Sequence, residues 1–143
     1  MKRTIMFLCT GNSCRSQMAE GFCRKHWGHI FDVYSAGTKK HGMNDRAVKV
    51  MKEVGIDLSS HFSKTTAELP PVPMNFVVTV CDAAKESCPY FPGGKIVHKS
   101  FQDPPALTRD MKDEEEILEN YRRVRDEIEK AIKNLPALLG EEL

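Results

Sequence analysis

Thr4-Ile5-Met6-Phe7-Leu8-Cys9 runs directly into Thr10-Gly11-Asn12-Ser13-Cys14-Arg15-Ser16, and residues 17–27 follow with apolar groups at Met18, Phe22 and Trp27. The first run reads as a short apolar strand, the second as a polar turn containing glycine, and the third as a helix. This unit decides the fold class because its pattern recurs downstream. Phe31 to Ala36 reads as a second strand closed by Gly37. Asn44 can then cap a helix that buries Ala47, Val48, Met51 and Val54 before stopping at Gly55. Phe76 to Cys81 is a continuous β-branched and apolar run, the pattern of a central parallel strand covered on both faces. Lys95 to Phe101 reads as a fourth strand. Asp113 to Leu135 reads as a long amphipathic helix with Ile117, Tyr121, Val124, Ile128, Ala131, Ile132 and Leu135 on one face, and Glu114 to Glu116 suit its positive N-terminal end. Residues 57–73 carry three prolines and read as an irregular surface segment with one helical turn at most.

Strands alternating with helices imply one α/β domain over residues 1–143, a four-stranded parallel sheet with helices on both faces and right-handed crossovers. Ligands in such sheets bind outside the carboxyl ends of the strands. Cys9 and Cys81 end two of these strands and Asp103 follows a third, so all three are expected on one rim. The formal net charge of +1 supplies no global field for nucleic acid or an anionic membrane, so any anion site must be local. The apolar runs are too short to span a bilayer. The run after Lys2 and Arg3 ends after about five residues, short of the ~7–15 of a secretory signal. A cytoplasmic monomer is expected. Five cysteines, at 9, 14, 23, 81 and 88, argue for thiols rather than a disulfide framework.

Cys9 and Arg15 are separated by five residues between a strand and a helix. A loop of that length can curl so that the backbone N–H groups of Thr10, Gly11, Asn12, Ser13 and Cys14 point into one hollow, beside the positive end of the following helix. That hollow suits a tetrahedral oxyanion. Gly11 and Asn12 tolerate unusual backbone angles. Arg15 offers a planar charged fork to two oxyanion oxygens, and Ser16 can donate to the Cys9 sulfur. Both favour thiolate, so Cys9 is expected to fall below the free-thiol pKa of roughly 8.5 and to act as a nucleophile. The bland alternative is a buried structural cysteine preceding a helix. Cys14 is expected to lend only its amide, and Cys23 to fill core.

Cys81 and Cys88 supply two further thiols beyond the third strand. If Cys9 attacks an arsenic(V) oxyanion, a second thiol attacking the Cys9 sulfur can expel arsenite and leave a disulfide, and a third can then free Cys9. Seven positions span about 10.5 Å of ideal helix at ~1.5 Å per residue, beyond the ~7 Å Cα limit for a disulfide. Any helix there must unwind to form the bond, exposing Cys88, Pro89, Tyr90 and Phe91 to a reductase. Two unrelated core thiols, or half a zinc site, remain the alternatives. Close zinc spacing is missing, and no metal is expected. Asp103-Pro104-Pro105 holds a carboxyl group on a stiff loop, suited to protonating a departing oxygen or to forming an ordinary turn. The histidines at 26, 29, 41, 61 and 98 lack metal-ligand spacing and receive no role.

Taken together, the loop with Ser16-Gln17-Met18-Ala19-Glu20-Gly21, then Ser35-Ala36-Gly37-Thr38, Val80-Cys81-Asp82, Cys88-Pro89 and Asp103-Pro104, resembles the thioredoxin-coupled arsenate reductases. Their fold is shared with low-molecular-weight protein tyrosine phosphatases, and the resemblance covers essentially the whole chain. It implies Cys9 as nucleophile, Cys81 and then Cys88 as resolving thiols, Arg15 as oxyanion ligand and Asp103 as general acid. It also implies arsenate as substrate, thioredoxin as external dithiol reductant, no bound cofactor and a weak phosphatase side activity. Some relatives hold potassium at positions matching Asn12, Glu20, Ser35 and residue 64, where this chain has Lys64. Two other functions fit the loop: a phosphotyrosine phosphatase, which has no need of Cys81 and Cys88, and a redox-sensitive oxyanion-binding sensor.

Overall fold

The computed structural model describes residues 2–82 and 94–143. Cys88, with Pro89, Tyr90 and Phe91, lies outside the described residues. The elements run β1 (Arg3–Cys9), α1 (Arg15–Trp27), β2 (Phe31–Gly37), α2 (Asp45–Lys52), a 3₁₀ turn (Thr66–Glu68), β3 (Phe76–Thr79), β4 (Lys95–His98), α3 (Pro104–Leu107), α4 (Glu114–Lys133) and α5 (Leu135–Leu139). The strands form one sheet in the order β2-β1-β3-β4, and every neighbouring pair is parallel.

The apolar runs account for this order. β3 is buried along its whole length, so both faces of the sheet are covered at its centre, as its unbroken apolar pattern demands. β4 carries exposed Lys95 and Ile96 at the sheet edge, where a lysine discourages pairing with another chain. Two strands stop earlier than their composition suggests, β3 at Thr79 and β4 at His98. Backbone pairing nevertheless continues past both ends, through Val80 N–H to Leu8 O (2.9 Å), Lys99 N–H to Thr79 O (2.9 Å) and Phe101 N–H to Val80 O (3.1 Å). The chain beyond β3 and β4 is therefore still tied to the sheet where the site forms.

Helix α1 starts at Arg15, two residues before its apolar spacing begins, because the oxyanion loop feeds it directly. Helix α2 is capped by Asn44, whose side chain accepts from Ala47 N–H at 3.0 Å, and it buries Val50 where the periodicity favoured Val48 and Val54. Gly55, at φ +81°, turns the chain after it. The expected final helix is two: α4 buries Ile117, Leu118, Tyr121, Val124, Ile128 and Ile132, and Leu135 begins α5 after a break at Asn134, with Pro136 in its first turn. Trp27 Nε1 donates to Ile132 O (2.8 Å) and ties α1 to α4. Among the described residues no helix is long and apolar enough to cross a membrane.

Candidate active site

Cys9 is the last residue of β1, opposite Gly37 in the register. The loop after it is pinned from outside. Cys9 O accepts from Thr38 N–H (3.2 Å), Thr10 O from Lys39 N–H (2.9 Å), Gly11 O from Ser63 Oγ (2.6 Å), Ser13 O from Asn44 N–H (3.0 Å) and Cys14 O from Met18 N–H (3.0 Å). No hydrogen bond among the described residues uses the backbone N–H of Gly11, Asn12, Ser13, Cys14 or Arg15 as donor. Carbonyls satisfied and amides left over is the condition of an anion-binding nest.

The turn is made at Asn12, a non-glycine residue at φ +50°. Its side chain compensates for that backbone strain. Nδ2 donates to Ser16 Oγ (2.8 Å) and Ser35 Oγ (3.0 Å), while Oδ1 accepts from Gln17 Nε2 (2.9 Å) and Lys64 N–H (3.0 Å). At Gly37, opposite Cys9, an added Cβ would lie 2.7 Å from Thr10 O and 2.9 Å from Asn12 N, so the loop backbone passes too close for any side chain there. Ser16 Oγ joins the Asn12 network as an acceptor, and a hydrogen bond from its hydroxyl to the Cys9 sulfur, expected from sequence, is not among those the described residues form.

Arg15 leans over the same hollow with a side chain only 13% exposed. It donates to Phe101 O (3.0 Å), and its other terminal nitrogen lies 3.5 Å from Asp103 Oδ1. Its Nε is buried without a partner among the described residues. An orphaned donor on a guanidinium costs free energy unless the site supplies an acceptor, and an oxyanion oxygen is such an acceptor. Asp103 occupies the N-cap position of the proline-led α3 but its side chain makes no capping hydrogen bond, which leaves the carboxylate at the rim beside Arg15.

Cys81 completes the rim. It is buried, its sulfur lies 3.3 Å from Thr10 Oγ1, and it is in hydrogen-bonding contact with Cys9. The Cys9 thiol is pushed above its ordinary pKa, first by this hydrogen bond with Cys81 and then by burial. The Arg15 charge and the Thr10 backbone pull it down less strongly. The structure places Cys9 above its ordinary pKa where the sequence expects it below: Arg15 and the loop amides were foreseen, but not a hydrogen bond with a second thiol. Burial pushes Cys14 up as well, with Asp103 adding to it, and pushes Cys23 up to about 12, as suits thiols that fill space.

Residues 57–73, read as an irregular surface segment with one helical turn at most, hold the 3₁₀ turn at Thr66–Glu68 and also brace the loop. Gly37 N–H donates to Lys64 O (2.8 Å), Gln17 Nε2 donates to Phe62 O (3.1 Å), and His61 Nδ1 lies 2.9 Å from Gln17 Oε1. Glu20 is buried below, accepting from Ser35 Oγ and Arg24 Nε, with Lys64 Nζ 3.8 Å from its carboxylate. Burial lowers the Lys64 pKa while Glu20 raises it, and burial likewise lowers that of His61. Nothing in the local composition of residues 57–73 signals this role, because each contact joins positions far apart in the chain.

Residues 4–143 match the low molecular weight phosphotyrosine protein phosphatase family. An arsenate reductase of Halalkalibacterium halodurans is 50% identical over 133 residues, covering 92% of this chain and 94% of that protein. Another from Staphylococcus aureus strain Newman is 44% identical over 134 residues, covering 93% and 95%. Among solved structures, an arsenate reductase in the phosphate binding state superposes with a TM-score of 0.74 at 28% identity, covering 96% of this chain and 98% of that one. A tyrosine phosphatase of Erwinia amylovora, at 19% identity and a TM-score of 0.73, shares the fold.

Proposed function

We propose, for a chain that belongs to the low molecular weight phosphotyrosine protein phosphatase family, that it reduces arsenate to arsenite through a relay of Cys9, Cys81 and Cys88. The observation that carries this reading is the buried contact between Cys9 and Cys81 beside Arg15. Ester hydrolysis needs one nucleophilic thiol; a second sulfur against the first serves a reaction that ends in a disulfide.

In the first step the Cys9 thiol gives up its proton as its sulfur bonds to arsenic(V), and one arsenate hydroxyl leaves with that proton as water, Asp103 carrying it across. The loop amides and Arg15 hold the remaining oxygens. Cys81 then attacks the Cys9 sulfur. The S–S bond forms, the S–As bond breaks, and its electron pair stays on arsenic, which departs as arsenite. Cys88 attacks Cys81, releasing Cys9 and leaving a Cys81–Cys88 disulfide for an external dithiol, for which thioredoxin is the proposed donor. The net change is arsenate plus two thiols giving arsenite, one disulfide and water. No bound cofactor enters these steps, and the proposed setting is a cytoplasmic monomer.

Mixing the reduced protein with arsenate, and measuring arsenite and thiol loss together, tests this. One arsenite for every two thiols lost is expected; arsenate binding without arsenite would favour the sensor. Arsenate-dependent oxidation of reduced thioredoxin tests the donor. The same loop, Arg15 and Asp103 also support slow hydrolysis of phosphate monoesters as a side reaction.

A further inference from the structure

His98 stands on β4 opposite Thr79, the last residue of β3. Its ring spans two partners. Nδ1 lies 2.7 Å from the buried Thr79 Oγ1, and Nε2 lies 3.1 Å from Asp82 Oδ1. A carboxylate only accepts, so Nε2 carries the proton towards Asp82, and Nδ1 then accepts from the Thr79 hydroxyl. Neutral imidazole satisfies both contacts at once. Thr79 and Asp82 flank Val80 and Cys81, and Val80 is itself held by backbone bonds to Leu8 and Phe101. The ring therefore closes a bracket around the short turn that carries Cys81.

We propose that His98 is a positioning residue that, through Thr79 and Asp82, holds the Cys81 sulfur against Cys9 for disulfide formation. This deepens the relay reading and rests on it for its biological meaning. Attack at sulfur requires the entering sulfur to approach along the axis of the breaking bond, so a small displacement of Cys81 costs rate without touching the oxyanion site. Among the described residues His98 shares no hydrogen bond or ion pair with Arg15 or Asp103, so its effect reaches the reacting atoms through the turn that carries Cys81. Asp82 has a side chain 83% exposed, so its removal opens the bracket without leaving a hole in the core.

The test is run in the full chain carrying Cys88→Ser, where the Cys9–Cys81 disulfide is not passed on, and compares that parent, wild type at the bracket, with His98→Ala, His98→Gln, Asp82→Ala and the double alanine variant. Two reactions are quenched in acid and mapped for the Cys9–Cys81 disulfide. One is started with arsenate. The other is started with diamide, which takes up two electrons and both thiol protons to become a hydrazine. The inhibition constant of phosphate reports the oxyanion site separately. Each alanine variant should slow disulfide formation roughly tenfold in both reactions, short of the about hundredfold that a full ångström of misplacement costs. The double variant should be no slower than either single one, because both open the same link. Gln, which can accept from Thr79 and donate to Asp82, should recover part of the rate, and phosphate inhibition should stay constant. Parent rates in Asp82→Ala, additive losses in the double variant, or an equal loss in phosphate binding would overturn the proposal. If the parent forms the disulfide with diamide yet yields no arsenite, the relay has failed, while the diamide series still decides the bracket.

Discussion

The two sulfurs that meet in this site are held in different ways. Cys9 begins a loop fastened by backbone carbonyls, by Asn12 and its four side-chain contacts, and by the 61–64 segment. Cys81 follows a strand that ends two residues earlier, beside Thr10 and within the His98 bracket. An anion nest works only if its donors are fixed before the anion arrives, since reorganisation at the moment of reaction would cost the stabilisation they give. A resolving thiol must reach Cys9 and then leave it. Many short bonds suit the first task, and a few side-chain contacts suit the second.

The sharpest way to break this division is at the sulfurs. Cys9→Ser should reduce both arsenate reduction and phosphate-ester hydrolysis by ~10⁴-fold or more, the scale of removing a nucleophile. Cys81→Ser should lose reduction and keep the hydrolysis. Cys88→Ser should release one arsenite per protein and stop with a Cys9–Cys81 disulfide, which peptide mapping after one turnover detects. Steady turnover in that variant would remove Cys88 from the relay.

Arg15→Lys probes the fixed side. An ammonium group cannot present two parallel donors, so kcat/KM for arsenate should fall by about 10²–10³, the cost of losing one oxyanion donor. A fall of less than tenfold would show that the amides alone carry the anion.

A smaller effect concerns protons. Hydrogen bonding to Cys81 is the largest cause of the raised Cys9 pKa. Removing it with Cys81→Ala should lower that pKa, so the acidic limb of the ester-hydrolysis profile should move to lower pH. A move in the opposite direction would mean that Cys81 donates to a Cys9 thiolate instead of sharing its proton. The smallest effect is expected from potassium. With Lys64 Nζ already facing Glu20, the ion should change the KM for arsenate little at fixed ionic strength, and a large potassium-specific fall would show that the lysine side chain moves aside.

Much of the site was legible because its chemistry is local in sequence. Cys9, Arg15 and the residues between them form one turn, and Asp103 announces itself by the prolines after it. The place of Cys81 beside the loop was readable from its position at a strand end. The bond that Ser16 Oγ accepts from Asn12 was not foreseen, because the backbone turn at Asn12 that aims its amide there is not visible in composition. The helix faces shifted by a residue or two where tertiary contacts outweighed periodicity, as at Val50 and Leu118.

The sequence by itself determined the α/β alternation, the parallel sheet with its buried central strand, and the spacing of the anion loop. These follow from periodicity and from the reach of a few consecutive residues. Only the tertiary structure decided that residues 61–64 brace the loop, that the Arg15 Nε is buried without a partner among the described residues, that Cys81 raises the proton affinity of Cys9 and that His98 reaches Asp82. Each of these joins segments brought together by the packing of the sheet, and proton affinity in particular depends on every charge and sulfur within a few ångströms, wherever each lies along the chain.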